Sequence, residues 1–134
     1  MLGVKPQRFE SRGEWRDWLI RNHSSVREVW LMHSKKNSTT ITITLGEAVE
    51  EAICFGWIDS RIKSIDSERY AVRYTPRQAA RKWSKYNSAR ALKMLKEGKM
   101  TLPGVSVLSK EILEKWKRTK RAPSIIDPRK RTIA

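Results

Sequence analysis

The chain has 134 residues, 39% of them hydrophobic and six of them Trp, and a formal net charge of +15 at pH 7. The length and the aromatic content predict one globular domain rather than a disordered chain. Residues 1–60 hold eight Lys/Arg and eight Asp/Glu, whereas residues 61–134 hold twenty-one and six. The positive excess therefore lies in the second part of the chain, where it favours binding to a polyanion.

Several classes of protein are excluded by what the sequence lacks. Cys54 is the only cysteine, which excludes an intrachain disulfide and a cysteine-rich zinc site. No apolar run approaches the roughly 18 residues of a membrane span, and the first residues lack the apolar core of a signal peptide. We therefore expect a cytoplasmic protein without a transmembrane segment, and we favour a monomer.

The first 43 residues predict a helix followed by two short strands. Ser11 and Glu14 have the spacing of a capping box, and the helix that they start is expected to end near His23. The continuous apolar run at 29–32 predicts a strand buried on both faces. The β-branched residues at 41–43 predict a further short strand.

A second capping box starts the next helix. Thr44 and Glu47 form it, and Gly56 lies where a glycine of positive φ ends a helix. The apolar stripe of this helix is expected to face the core. Its acidic residues Glu47, Glu50 and Glu51 are expected to turn away from it.

Residues 57–75 predict a β-hairpin with a turn at 66–68. The predicted pairs are Arg61 with Arg73, Ile62 with Val72, Lys63 with Ala71, Ser64 with Tyr70 and Ile65 with Arg69. Strict alternation then predicts one aliphatic and aromatic face. The other face is predicted to carry Asp59 among the basic residues Arg61, Lys63, Arg69 and Arg73.

The second half of the chain predicts helices. Thr75 and Pro76 are typical of a helix start, a longer helix is expected from Ser84 to Glu97, and a last helix is expected from Thr101. The fold class is therefore α+β: a small antiparallel sheet that includes the 57–75 hairpin, packed with about four helices. We expect residues 1–118 to form a single globular domain and 119–134 to form a basic, partly disordered tail.

The sequence offers little catalytic apparatus. His23 and His33 lack further ligands at metal-binding spacing, and Cys54 lies among apolar neighbours, which is typical of an inert buried thiol. Asp59 is expected to pair with Arg61 or Arg73 rather than to act as an acid or base. We assign no catalytic residue, no metal and no cofactor.

A binding surface has more support. Basic side chains on a sheet face, an aromatic residue at its edge and a basic helix flank together resemble a surface that follows a phosphate backbone and stacks bases. The predicted binding residues are Trp57, Arg61, Lys63, Arg69, Arg73, Arg77, Lys85, Lys93 and Lys96.

Three segments resemble the YdeI/OmpD-associated family, also called the bacteriocin-protection family. They are EAICFGWIDS, the tetrapeptide YTPR and WSKYNSARALKMLKEGKMTLPG. The resemblance covers about Phe9 to Trp116 and implies a small cytoplasmic α+β protein of prokaryotes, linked by name to stress tolerance. It implies no established reaction. Asp59, Arg77 and Asn87 match without an obvious structural role and form a candidate family site.

Three hypotheses of function follow. The leading one is a non-enzymatic protein that binds nucleic acid or another polyanion through the basic hairpin face and the adjoining helix. The second is a protein-interaction module in stress or bacteriocin tolerance with an acidic protein partner. The third is an enzyme that acts on an anionic small molecule near Asp59, Arg77 and Asn87.

Overall fold

The computed structural model describes residues 5–78 and 81–118. The described elements confirm the α+β class, with five helices where about four were predicted. In chain order they are α1 (Arg12–Asn22), β1 (Val29–Ser34), α2 (Leu45–Cys54), β2 (Trp57–Ser64), β3 (Arg69–Pro76), α3 (Lys85–Lys96), α4 (Leu102–Val105) and α5 (Lys110–Lys117). The predicted tail at 119–134 lies outside the described residues.

The three strands form an antiparallel sheet in the order β1-β3-β2. The predicted hairpin register is confirmed from Arg61 opposite Arg73 to Ser64 opposite Tyr70, and the Ile65 amide donates to the Arg69 carbonyl at 3.0 Å. The register was predictable because a short turn fixes which residues face each other.

The predicted alternation fails at one point, because β2 carries a β-bulge. Asp59 lies opposite Tyr74 while Arg61 lies opposite Arg73, so Ser60 is an extra residue in β2. A bulge reverses which face the following side chains take. The prediction that Trp57 and Asp59 share the basic face is therefore wrong. Both positions share the face of Tyr74.

The hydrophobic core lies between this face of the sheet and the helices. Trp15 and Trp18 of α1 reach it, with ring centroids 5.4 Å from Tyr74 and 5.8 Å from Trp57 respectively. Helix α2 packs against α1 and β2, and α3 packs against α2 and α5. In β2, residues 60–64 are exposed.

Three of the predicted helix starts are confirmed by their caps. The side chains of Ser11, Thr44 and Ser84 each accept a hydrogen bond from the amide three residues later. Gly56 follows α2 with φ of 77°, and a Cβ there would lie 2.8 Å from the Pro103 carbonyl oxygen. Both the backbone conformation and the close approach therefore require glycine.

Three predicted elements differ in the structure. β3 continues through Pro76, which pairs with Trp57, so no helix starts there; proline is tolerated because it ends the strand. Residues 41–43 form no strand, since Ile43 instead donates its amide to the Phe9 carbonyl. The last predicted helix is divided into α4 and α5, because Ser109 caps a new helix.

The acidic residues of α2 correct another expectation. Glu51 is only 1% exposed and Glu50 is also buried. Glu51 accepts from Arg16 at 2.8 Å and from Arg12 at 3.2 Å, and Glu50 accepts from Arg12 at 2.8 Å and from Lys93 at 2.9 Å. We call these five residues the ion network. They turn inward because α1 and α3 supply the cations.

Cys54 lies at the end of α2 and is buried, as predicted. Burial, together with the charge of Glu51, raises the pKa of its thiol to about 12. Its carbonyl accepts from the backbone and the hydroxyl of Thr101. The described helices include none with the length and hydropathy that a bilayer crossing requires.

Candidate functional site

A groove of about 790 Å³ lies where β2 and β3 meet the segment after β3. We call it the arginine groove, because five arginines line it. The lining residues are Arg27, Ile58, Asp59, Ser60, Arg61, Arg73, Thr75, Pro76, Arg77, Gln78 and Arg81.

The sheet explains why these side chains meet. Ile58 lies opposite Thr75, and Arg61 lies opposite Arg73, so the four side chains share the face turned away from Tyr74. The bulge keeps Ser60 beside them, and the Arg73 guanidinium donates to the Ser60 hydroxyl at 3.4 Å. The groove floor is thus made by rigid strand residues.

One end of the groove contains its own counter-ion. Arg73 Nε donates to the Glu28 carboxylate, which precedes β1. This hydrogen bond lowers the pKa of Glu28, and the charges of Arg73 and Arg61 lower it further. The Glu28 carboxylate thus offsets one of the two positive charges of Arg61 and Arg73, so this end keeps a reduced positive charge.

Arg77 marks the other end and is buried, with 6% of its surface exposed. Its guanidinium stacks 3.9 Å from the centre of the Trp83 ring. Nη2 donates to the carbonyls of Arg81 at 3.2 Å and Lys82 at 2.8 Å, while Nε has no hydrogen-bond partner among the described residues. These neutral partners hold the side chain without neutralising its charge.

Arg81 adds a second positive charge at this end. Its side chain is exposed. Burial lowers the pKa of Arg77, and the charge of Arg81 lowers it further. Within residues 5–78 and 81–118, neither arginine makes an ion pair with a carboxylate. Neither charge at this end therefore has a paired carboxylate, although Asp59 also lines the groove.

The structure brings only some of the predicted binding residues together. Arg61, Arg73 and Arg77 line the groove. Lys63 is exposed farther along the hairpin, and Arg69 pairs with Asp66 in the turn. The lysines of α3 are not among the lining residues, because α3 packs on the helix side of the molecule. Two of them, Lys85 and Lys96, are exposed, and Lys93 belongs to the ion network.

The predicted aromatic edge is wrong, because Trp57 is buried in the core and 1% exposed. Its ring nitrogen donates to the His23 carbonyl at 3.3 Å. Trp83, half-buried, donates to the Val107 carbonyl at 3.1 Å while its ring supports Arg77. Neither indole is free to stack on a base.

The candidate family site is not assembled as a unit. Asp59 and Arg77 both line the groove, but Asn87 does not. Asn87 lies in the first turn of α3, where its side chain accepts from Arg90 at 2.9 Å. Asp59 lies opposite Tyr74 in the sheet. Burial of Tyr74 raises the pKa of its hydroxyl, and the charge of Asp59 raises it further. The described residues include no cluster of three His, Cys, Asp or Glu that could hold a metal.

Sequence reasoning missed Arg27 and Arg81. Arg27 was counted with the neutral first part of the chain, yet it precedes β1 and lines the groove. Arg81 follows the hairpin by five residues. The PRQAARK segment was a usable signal, since it extends the basic hairpin without an acidic residue. Arg27 required the sheet order, which the sequence does not state.

A family model described as Domain of unknown function (DUF8412) matches residues 7–107, well over half of the chain. No curated protein and no solved structure matches. The resemblance to the YdeI/OmpD-associated family is therefore wrong, since all three segments on which it rested lie within the matched range. Those segments are rich in residues with local structural duties, such as Gly56, Ser84 and Gly98. Such residues recur wherever helices and strands meet this way.

Proposed function

The chain belongs to the DUF8412 family, a family of unknown function, and we propose that it binds nucleic acid by its phosphate backbone in the arginine groove. One observation carries this proposal: five arginines line the groove, and of these only Arg73 forms an ion pair with a carboxylate among the described residues. A charge that the fold leaves uncompensated is available to an anionic ligand.

The type of cation supports a phosphate ligand. The planar guanidinium offers a fork of donors that matches phosphate oxygens, and it is more weakly hydrated than a lysine ammonium. The exposed forks of Arg61 and Arg81 lie at opposite ends of the groove. Successive phosphates of one strand can therefore be contacted by different arginines.

The rest of the molecule supports fast association. The net charge of +15 gives a positive field that attracts a polyanion from a distance, and salt weakens this attraction. The field alone is not specific for the groove. The proposal therefore requires that groove arginines matter more than other exposed cations.

The composition of the groove predicts little preference for the nucleotide sequence of the ligand. None of its lining residues, all within the described chain, is aromatic. Phosphate contacts position a nucleic acid but carry no sequence information. We therefore expect similar affinity for unrelated sequences of equal length.

The test is fluorescence anisotropy with one labelled duplex at about 50 and about 200 mM salt. Four phosphate contacts give a slope of log K against log salt near −3.6, which is a loss of roughly 150-fold over this range. Arg61→Gln with Arg81→Gln should weaken binding by at least about tenfold and halve the slope.

The matched control removes two positive charges elsewhere. Arg21 and Lys96 are exposed and do not line the groove, so Arg21→Gln with Lys96→Gln should change affinity by less than about threefold. Equal loss in both double variants would show diffuse binding and refute the groove assignment. Absence of binding at about 50 mM salt to duplex and single-stranded probes would refute the proposal altogether.

A further inference from the structure

The two ends of the arginine groove differ in charge. At the Arg61–Arg73 end, the Glu28 carboxylate forms an ion pair with Arg73, and the charge of Arg61 helps to lower the pKa of Glu28. At the Arg77–Arg81 end, the described residues supply no carboxylate ion pair. Asp59 also lines the groove but makes no ion pair with either arginine among the described residues. An anion at the second end therefore has no existing ion pair to displace.

The buried charge of Arg77 is energetically unfavourable without an ion pair. Burying a charge is unfavourable unless it is paired or fully hydrogen-bonded. Arg77 has two carbonyl acceptors and an aromatic ring, but its Nε is bare. Arg81 brings a second positive charge near it instead of a negative one. The charges of Arg77 and Arg81 repel each other, and a bound anion would offset this repulsion.

We propose that the Arg77–Arg81 end of the groove is a seat for a phosphate monoester. This rests on the proposed function to the extent that one source of the group is the terminal phosphate of a nucleic acid; the other is a free nucleotide. A monoester carries about −1.5 to −2 charges at pH 7, whereas an internal diester carries one. Two uncompensated guanidinium groups match the monoester.

The neighbouring residues suit such a group. Thr75 and Gln78 line the same end and offer a hydroxyl and an amide as further donors. The exposed guanidinium of Arg81 can form a bidentate contact with phosphate oxygens. Arg77 stacks on Trp83 and donates to the carbonyls of residues 81 and 82. It therefore positions the backbone at Arg81 and adds its own positive charge to this end of the groove.

The first test compares two single-stranded oligonucleotides of one sequence, with a 5′-phosphate and with a 5′-hydroxyl. The full chain should bind the phosphorylated strand about five- to tenfold more tightly at pH 7.5. The preference should shrink at pH 5.5, because the second ionisation of a phosphate has a pKa of about 6. Arg81→Gln should abolish the preference, whereas Arg61→Gln should weaken both strands equally and keep it.

The second test distinguishes the two sources of the group. Adenosine monophosphate should compete with the phosphorylated strand, adenosine should not, and the direct affinity for adenosine monophosphate is measured by calorimetry. Arg81 is exposed, so its variant is expected to keep the wild-type denaturation midpoint, which shows that lost preference is not lost folding.

Each outcome decides something. Equal binding of both strands overturns the seat and leaves backbone binding standing. Binding of adenosine monophosphate without binding of either strand supports the seat and overturns the proposed function. A preference that survives Arg81→Gln also overturns the seat, because the group is then recognised elsewhere. No binding of either strand or of adenosine monophosphate overturns both proposals.

Discussion

Two clusters of arginine in this molecule have opposite surroundings. In the ion network, Arg12 and Arg16 each meet a buried carboxylate at 2.8 Å. In the arginine groove, Arg77 is as deeply buried as Arg16 but contacts carbonyls and a ring instead of a carboxylate. The same side chain is thus structural where the fold supplies its counter-ion. Where the fold supplies none, we propose that it is available for binding.

The largest effect is expected in the ion network. Glu51→Gln leaves the buried charge of Arg16 without its partner, which should cost about 3–5 kcal/mol of unfolding free energy. Urea denaturation measures it. The control Glu114→Gln changes an exposed carboxylate of α5 and should stay within about 0.5 kcal/mol. A loss below about 1 kcal/mol for Glu51→Gln would show that the network is dispensable.

The buried side chain of His33 is a third case, because it is neutral and needs no counter-ion. His33 is buried, its Nδ1 donates to the Ile43 carbonyl at 2.8 Å, and its Nε2 accepts from the Tyr74 hydroxyl at 3.0 Å. Burial lowers the pKa of His33 below its usual 6.5, although the Ile43 hydrogen bond opposes this. The unfolded chain therefore binds a proton more readily than the native one.

The expected result is a loss of stability on acidification. His33 contributes fully above pH 6.5, and below it stability should fall by up to about 1.4 kcal/mol per pH unit until the folded pKa is reached. The measurement is the urea midpoint from pH 7.5 to 5. His33→Gln should be less stable at pH 7.5 but flatter over this range. An equally steep dependence in His33→Gln would assign the titration to another group.

The smallest effect is expected in the groove. Glu28→Gln removes the carboxylate that partly exposed Arg73 holds, so it frees one positive charge for a ligand. We expect nucleic-acid affinity to rise about two- to fivefold, and stability to fall by no more than about 1 kcal/mol. Anisotropy measures the former, with Glu111→Gln, another exposed carboxylate, as the control. Weaker binding would show that Glu28 positions Arg73 for the ligand.

The parts of the fold that sequence could predict are those set by neighbours along the chain. The caps at Ser11, Thr44 and Ser84 and the hairpin register depend on residues a few positions apart. Pro76 was misassigned because a Thr-Pro pair can either start a helix or end a strand. Only the pairing of Pro76 with Trp57 shows that it ends a strand here.

The parts that could not be predicted depend on contacts distant in sequence. A single extra residue such as Ser60 leaves no mark in the alternation of a short strand, yet it moved Trp57 and Asp59 to the other face. Helical periodicity placed Glu51 outside the apolar stripe of α2, but it could not show that Arg16 of α1 pairs with this carboxylate in the interior. The groove was predicted in part. The positive charge of the hairpin was evident from the sequence, but Arg27 and Arg81 were not identified as lining residues.

The burial of Cys54 has a kinetic consequence. A thiol reagent attacks the thiolate, which here is both enclosed and rarely formed, since the pKa of the thiol is about 12. Modification must therefore wait for the end of α2 to separate from Thr101, whose backbone and hydroxyl both donate to the Cys54 carbonyl. When reclosing is faster than the chemistry, the labelling rate is proportional to the fraction of open molecules. One native cysteine thus reports the local opening equilibrium of this chain without an introduced probe.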